Sequence, residues 1–123
     1  MNGKIVIIDD SDLVLEMARD ILEAEGYRVF TASNGIEANQ HIFSPDKPVL
    51  IILDVMMPLL DGDKKLKVLK SNEHSKDIPI IYLSSKSDEE LQNLVAATGA
   101  DGYLCKPFSE EELLHAVRKY AIG

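Results

Sequence analysis

The chain has 123 residues, 46% of them hydrophobic and 28% charged, with 13 basic against 21 acidic side chains and a net charge of −8. That length predicts one domain over residues 1–123, with a core that buries roughly two-thirds of the unfolded surface, and the composition is ordinary for a globular protein. The acidic balance excludes a nucleic-acid backbone binder, and no apolar run is long enough for a secretory leader or a membrane span.

Residues 4–8 predict a strand, apolar from Ile5 to Ile8, that runs straight into Asp9-Asp10. The next segment predicts a helix with Leu13, Val14, Met17, Ile21 and Leu22 on its inward face and Gly26 as its stop. Residues 28–31 predict a second, short strand that fits a sheet edge, since it carries Arg28. Asn34 followed by Glu37 has the spacing of a capping box for a helix to about residue 43, closed by Ser44-Pro45. Residues 49–53 form a third strand, apolar at every position, which ends in Asp54.

Beyond Asp61-Gly62, a helix from Lys64 to about Ser71 turns Leu66 and Leu69 inward and its lysines outward. Residues 79–83 predict the fourth strand, followed by Ser84. Ser87 with Glu90 forms a second capping box, for a helix ending near Thr98-Gly99. Residues 103–105 form the fifth strand, followed by Lys106, and Ser109 with Glu112 caps a last helix to about Ala121. The lone Cys105 cannot make an internal disulfide, so a reduced, cytoplasmic setting is expected, with Cys105 as a small core residue.

Five strands alternating with five helices predict an α/β fold, a parallel sheet with helices on both faces. The continuous apolar runs of the first, third and fourth strands fit central strands covered on both sides. In the flavodoxin-like, doubly wound (βα)5 arrangement with strand order 2-1-3-4-5, ligands bind at the strand carboxyl ends near the switch point between the first and third strands. Asp9, Asp10, Asp54, Ser84 and Lys106 all fall at those ends.

A buried carboxylate is costly to desolvate, and three together repel and raise at least one pKa unless a cation sits among them. An all-oxygen ligand set suits a hard ion, Mg²⁺ or Mn²⁺. With the repulsion reduced, Asp54 is a nucleophile able to form an acyl phosphate, with Lys106 as a point charge and Ser84 as a hydroxyl donor for the phosphoryl oxygens. The expected reaction is phosphoryl transfer onto Asp54, followed by slow hydrolysis.

Over essentially its full length the chain resembles the receiver domain of two-component response regulators. The matching features are Asp9-Asp10, then Asp54 followed by Met57-Pro58 and Asp61-Gly62, then Ser84, then Lys106-Pro107. The resemblance implies that Asp54 is the phosphoacceptor and that Asp10 and Asp54 ligate Mg²⁺ with the Met56 backbone carbonyl, Asp9 acting through a metal-bound water. It implies further that Ser84 moves toward the phosphoryl group, that Tyr103 reports that movement, and that the bond before Pro107 is cis. A sensor histidine kinase or histidine phosphotransfer protein would be the donor. A downstream protein would read the face formed by the fourth helix, fifth strand and fifth helix, with a phosphorylation-dependent dimer as one form of output; neither nucleic acid nor membrane is an expected partner. The protein would be a switch, catalysing only its own phosphorylation and dephosphorylation.

Ser84 stands where threonine is commoner in that family, Ser85 where alanine is, and Met56 and Lys86 occupy places that modulate water access. An apolar Met56 cannot orient an attacking water, whereas Lys86 is expected to reach the phosphoryl oxygens, so modest to slow autodephosphorylation is expected. A rival reading takes Asp10 and Asp12 as the nucleophile and acid/base of a haloacid-dehalogenase-like small-molecule phosphatase. It leaves Asp54 unexplained and lacks the later acid pair. Singly, each residue has a plainer role: Asp9-Asp10 could open a helix, Met57 could be core filler, and Tyr103 could be half-buried packing. His41, His74 and His115 read as solvated surface, as do the charged runs Lys64-Lys65 and Glu110-Glu111-Glu112.

Overall fold

The computed structural model describes residues 3–56 and 62–121. Met57, Pro58 and Asp61, which carry part of the resemblance, lie outside the described residues, as does the chain end at 122–123. The elements are β1 (Lys4–Ile8), α1 (Asp12–Ala24), β2 (Arg28–Ala32), α2 (Asn39–Ile42), β3 (Leu50–Asp54), α3 (Gly62–Ser71), β4 (Ile80–Ser84), α4 (Asp88–Thr98), β5 (Gly102–Cys105) and α5 (Glu110–Tyr120). All four strand pairings are parallel, in the order β2-β1-β3-β4-β5. The expected flavodoxin-like, doubly wound topology is therefore present. None of the described helices is long and apolar enough to cross a membrane.

The all-apolar strands follow from burial on both faces. Ile5 and Ile7 of β1, Leu50 and Ile52 of β3, and Ile81 and Leu83 of β4 pack with α1 and α5. Their neighbours Val6, Ile8, Ile51, Leu53, Ile80 and Tyr82 point the other way, into a second cluster with α2, α3 and α4. A side-chain period of two thus divides one sheet between two cores. β2 is an edge strand, as Arg28 suggested, and β5 is the other.

Several local expectations change. Leu13 is 73% exposed and Met17 40% exposed, whereas Leu15, Ala18 and Leu22 form the buried stripe of α1. The run of apolar residues at 13–15 allows two helical phases, and the one through 15, 18 and 22 is the one that meets the sheet. α2 is only four residues long. Asn34 Oδ1 accepts the Glu37 amide at 2.8 Å, but the Glu37 carboxylate turns to Ser33 Oγ instead of completing the box. The end of α2 is instead held by Lys4, whose buried ammonium donates to His41 O (2.5 Å), Ser44 Oγ (2.9 Å) and Asp46 O (2.9 Å).

Lys65 does not face water. It is buried and donates to Asn39 Oδ1 across α2 and α3, and burial holds its pKa below the usual lysine range. His41 and His74 are half-buried rather than solvated: His41 packs on Phe30, and His74 packs on Phe43 with Nε2 3.0 Å from Ile42 O. These neighbours come from other elements, so spacing within the helix does not reveal them. His115 and residues 110–112 are exposed, as read.

In α4, Ser87 accepts the Glu90 amide, but Glu90 takes the Ser87 hydroxyl rather than its backbone, leaving half a capping box. Gly99 closes that helix at φ 84°, a conformation that favours glycine. At α5 the capping box between Ser109 and Glu112 is complete. We expect Ser109→Ala to cost about 1 kcal/mol of unfolding free energy, read as a lower urea midpoint with an unchanged m-value; no change would show that the cap does not hold the helix.

Candidate functional site

The strand carboxyl ends place the site. Asp54 and Ser84 are the last residues of β3 and β4, one residue later than the sequence suggested. Asp9 and Lys106 directly follow β1 and β5. The ladders continue past the strands here, since the Asp9 amide donates to Ala32 O and the Lys106 amide to Ser84 O at 2.7 Å. Backbone order therefore fixes where these four side chains start.

Asp9 is fully buried, Asp54 is 4% exposed and Ser84 is 1% exposed, while Asp10 is exposed. One ligand oxygen from each of Asp9, Asp10 and Asp54 lies within 4.8 Å of the others. Lys106 Nζ sits 2.7 Å from Asp9 Oδ2 and 3.7 Å from Asp54 Oδ2, so one ammonium serves two buried acids. Asp9 Oδ1 accepts the Ser11 amide at 2.9 Å, and Asp54 Oδ1 accepts the Met56 amide at 3.0 Å. Among the described residues, Asp9 Oδ2 makes no hydrogen bond of good geometry and is held by the charge of Lys106.

Burial pushes the Asp54 carboxyl up to about 6. The Met56 amide and Lys106 pull it down, while Asp9 and Asp10 push it further up. A donor set of three carboxylates without nitrogen or sulfur, carrying more negative charge than one ammonium offsets, fits a hard divalent cation.

Ser84 Oγ accepts the Lys86 amide at 3.1 Å, which leaves its hydrogen free to donate elsewhere. The Lys86 ammonium lies 3.8 Å from Glu90 rather than over Asp54. Met56 is 60% exposed beside the site. Tyr103 is half-buried and its hydroxyl accepts from Gln92 Nε2 at 3.2 Å. The Lys106–Pro107 bond is cis, as expected.

Asp12, the second residue of the phosphatase reading, is exposed in the first turn of α1, where an acid suits the helix dipole. Cys105 is a core residue only in part, packed against the cluster on the α4 side. It is half-buried, and its thiol donates to Asp88 Oδ1 at 3.2 Å. Neither the ties of Cys105 and Tyr103 to α4 nor the Lys86 amide bond carries a periodic signal that a sequence reading can detect.

Residues 5–118 match the family model of the response regulator receiver domain. The chain is 41% identical over 113 residues to the alkaline phosphatase synthesis transcriptional regulatory protein PhoP of Bacillus subtilis, covering 92% of this chain and 46% of that protein. It is 38% identical over 117 residues to Protein PilG of Pseudomonas aeruginosa, covering 95% of this chain and 86% of that protein. Chemotaxis protein CheY4 of Vibrio cholerae matches in structure with a TM-score of 0.88 and 32% identity, over 98% of this chain and 99% of that one. The chain thus spans about half the length of PhoP and nearly the whole of CheY4. No phosphatase of the rival class is among these relatives, and that reading has no support.

Proposed function

The chain belongs to the response regulator receiver family of two-component signalling, and on that premise we propose that it is a phosphorylation switch whose acceptor is Asp54. The observation that carries this is a nearly buried carboxylate at the end of β3, grouped with two further acids and facing one lysine. Asp9, Asp10 and Asp54, with the Met56 backbone carbonyl, would hold Mg²⁺ or Mn²⁺. When bound, the ion offsets the repulsion among the acids and the charge on phosphoryl oxygens.

An ionised Asp54 oxygen attacks phosphorus; the new O–P bond forms as the bond to the donor's leaving group breaks, with its electron pair leaving on the donor. The donor is a phosphohistidine of a sensor kinase or phosphotransfer protein. No general base is needed, because a carboxyl near 6 is already ionised at neutral pH. Lys106 then turns from Asp9 and Asp54 to the phosphoryl oxygens, and the Ser84 hydroxyl donates to them. The added charge shifts a two-state equilibrium that is read by a downstream protein, or by a second copy, on the face of α4, β5 and α5. An exposed, apolar Met56 offers no hydrogen bond to an attacking water, which supports slow loss of the phosphoryl group. The cytoplasm is the setting that such a kinase partner implies.

Beryllofluoride, which stands in for a phosphoryl group on a carboxylate, tests this reading. With Mg²⁺ present, amide resonances of residues 9–11, 54–56, 84–86 and 103–106 should shift on its addition, and with the metal chelated they should not. Shifts that ignore Mg²⁺, or that miss Asp54 and Ser84, would overturn the proposal.

A further inference from the structure

α4 meets the edge strand β5 through two matched hydrogen bonds. The Cys105 thiol donates to Asp88 Oδ1 at 3.2 Å, and Gln92 Nε2 donates to the Tyr103 hydroxyl at 3.2 Å. Tyr103 and Cys105 are two apart on a strand and so share a face; Asp88 and Gln92 are four apart on a helix and do the same. Two strand residues span about 6.6 Å and four helical residues about 6 Å, so the two pairs fall in register like rungs. The burial pattern agrees: Leu104 packs toward α5, while Tyr103 and Cys105 lie on the side of α4.

The lower rung depends on a protonated thiol. Burial and the Asp88 carboxylate hold the Cys105 thiol above its ordinary range, with Glu112 adding to the effect, so the sulfur keeps its hydrogen at neutral pH. A groove of about 330 Å³ lined by Asp88, Tyr103, Cys105, Glu112, His115 and Tyr120 runs beside the rungs. The far end of the connection is the candidate site itself. Ser84 Oγ holds the Lys86 amide, Ser87 caps α4, and Asp88 is the first residue of that helix. Only four residues of chain therefore separate Ser84 from the Asp88 rung.

We propose that the Cys105–Asp88 and Gln92–Tyr103 hydrogen bonds form a two-rung latch holding α4 against β5, with Cys105 as a positioning residue that sets how readily this face changes shape. The latch stands on the resting geometry; its part in switching rests on the phosphoacceptor reading above. Hydrogen exchange of α4 amides in the unphosphorylated protein separates the two. Cys105→Ala and Tyr103→Phe should speed exchange in α4 about threefold, the effect of one weak hydrogen bond, while α5 amides stay at the wild-type rate. Cys105→Ser keeps a donor and should stay nearer the wild type.

Equal α4 exchange in wild type and Cys105→Ala overturns the latch, as does an equal acceleration of α4 and α5, or a serine variant as fast as the alanine one. With Mg²⁺, the beryllofluoride midpoint of Cys105→Ala should fall about threefold, since less is lost on releasing α4. If neither protein responds to beryllofluoride, the phosphoacceptor reading fails while the exchange comparison still decides the latch.

Discussion

Asp54→Asn should take up no phosphoryl group from labelled acetyl phosphate in the presence of Mg²⁺, under conditions in which the wild type is labelled. Asparagine nearly preserves the side chain's shape, and its carbonyl oxygen can still accept the Met56 amide, as Asp54 Oδ1 does at 3.0 Å. What it removes is the charged oxygen proposed to attack phosphorus, and a neutral amide is a far weaker nucleophile. The variant should therefore stay folded while its labelling disappears, a loss of about a hundredfold or more. Asp10→Asn is the informative companion: it leaves the nucleophile in place and should raise the Mg²⁺ concentration needed for labelling. Persistent labelling of Asp54→Asn would move the acceptor elsewhere, and Asp9 and Asp10 would be the residues to examine next.

The same substitution should stabilise the metal-free protein at neutral pH. Burial first, then repulsion from Asp9 and Asp10, outweighs the Met56 amide and Lys106, so the Asp54 carboxyl rises from 3.8 to about 6. Between those values the folded protein keeps a proton that the unfolded chain has already released. Its contribution to stability is fully present below about pH 4 and is lost as the pH rises through about 6. At pH 7 an ionised Asp54 then costs the metal-free fold on the order of 3 kcal/mol.

Asparagine has nothing to ionise. In urea melts without metal, Asp54→Asn should exceed the wild type by about 2 to 3 kcal/mol at pH 7, and the gap should narrow toward pH 4. Saturating Mg²⁺ should close the gap from the other side, by stabilising the wild type more than the variant. A difference that stays constant from pH 4 to pH 7, or an equal response of both proteins to Mg²⁺, would show that Asp54 is not under electrostatic stress.

The strands and the acids at their ends were legible because both signals are unambiguous: a run apolar at every position needs cover on two faces, and a carboxylate ending such a run needs a partner. Ile5 to Ile8 before Asp9, and Leu50 to Leu53 before Asp54, are of this kind. The cap at Ser109 was legible because all of its atoms lie within one turn. What escaped depends on contacts between distant segments. Lys65 reads as an outward lysine until Asn39 of another helix is placed beside it. Lys4 looks like the polar start of a strand, yet it closes the end of α2 some 40 residues away in sequence. Leu13 and Met17 have helical spacing, but spacing alone does not choose which phase the sheet selects. Cys105 does pack at the margin of a core, but its polar partner, Asp88, belongs to a helix across the edge and no strand pattern reveals it.

The division of one sheet between two cores also bears on how this sequence tolerates change. Leu69 packs in the cluster with α2, α3 and α4, and Leu113 packs on the opposite side with α1 and α5. The sheet lies between the two clusters, so Leu69→Ala and Leu113→Ala should cost about 2 to 5 kcal/mol each and combine almost additively. Substitutions on one side can then accumulate without repair on the other. The side carrying α2, α3 and α4 can diverge while the side carrying α1 and α5 keeps its packing.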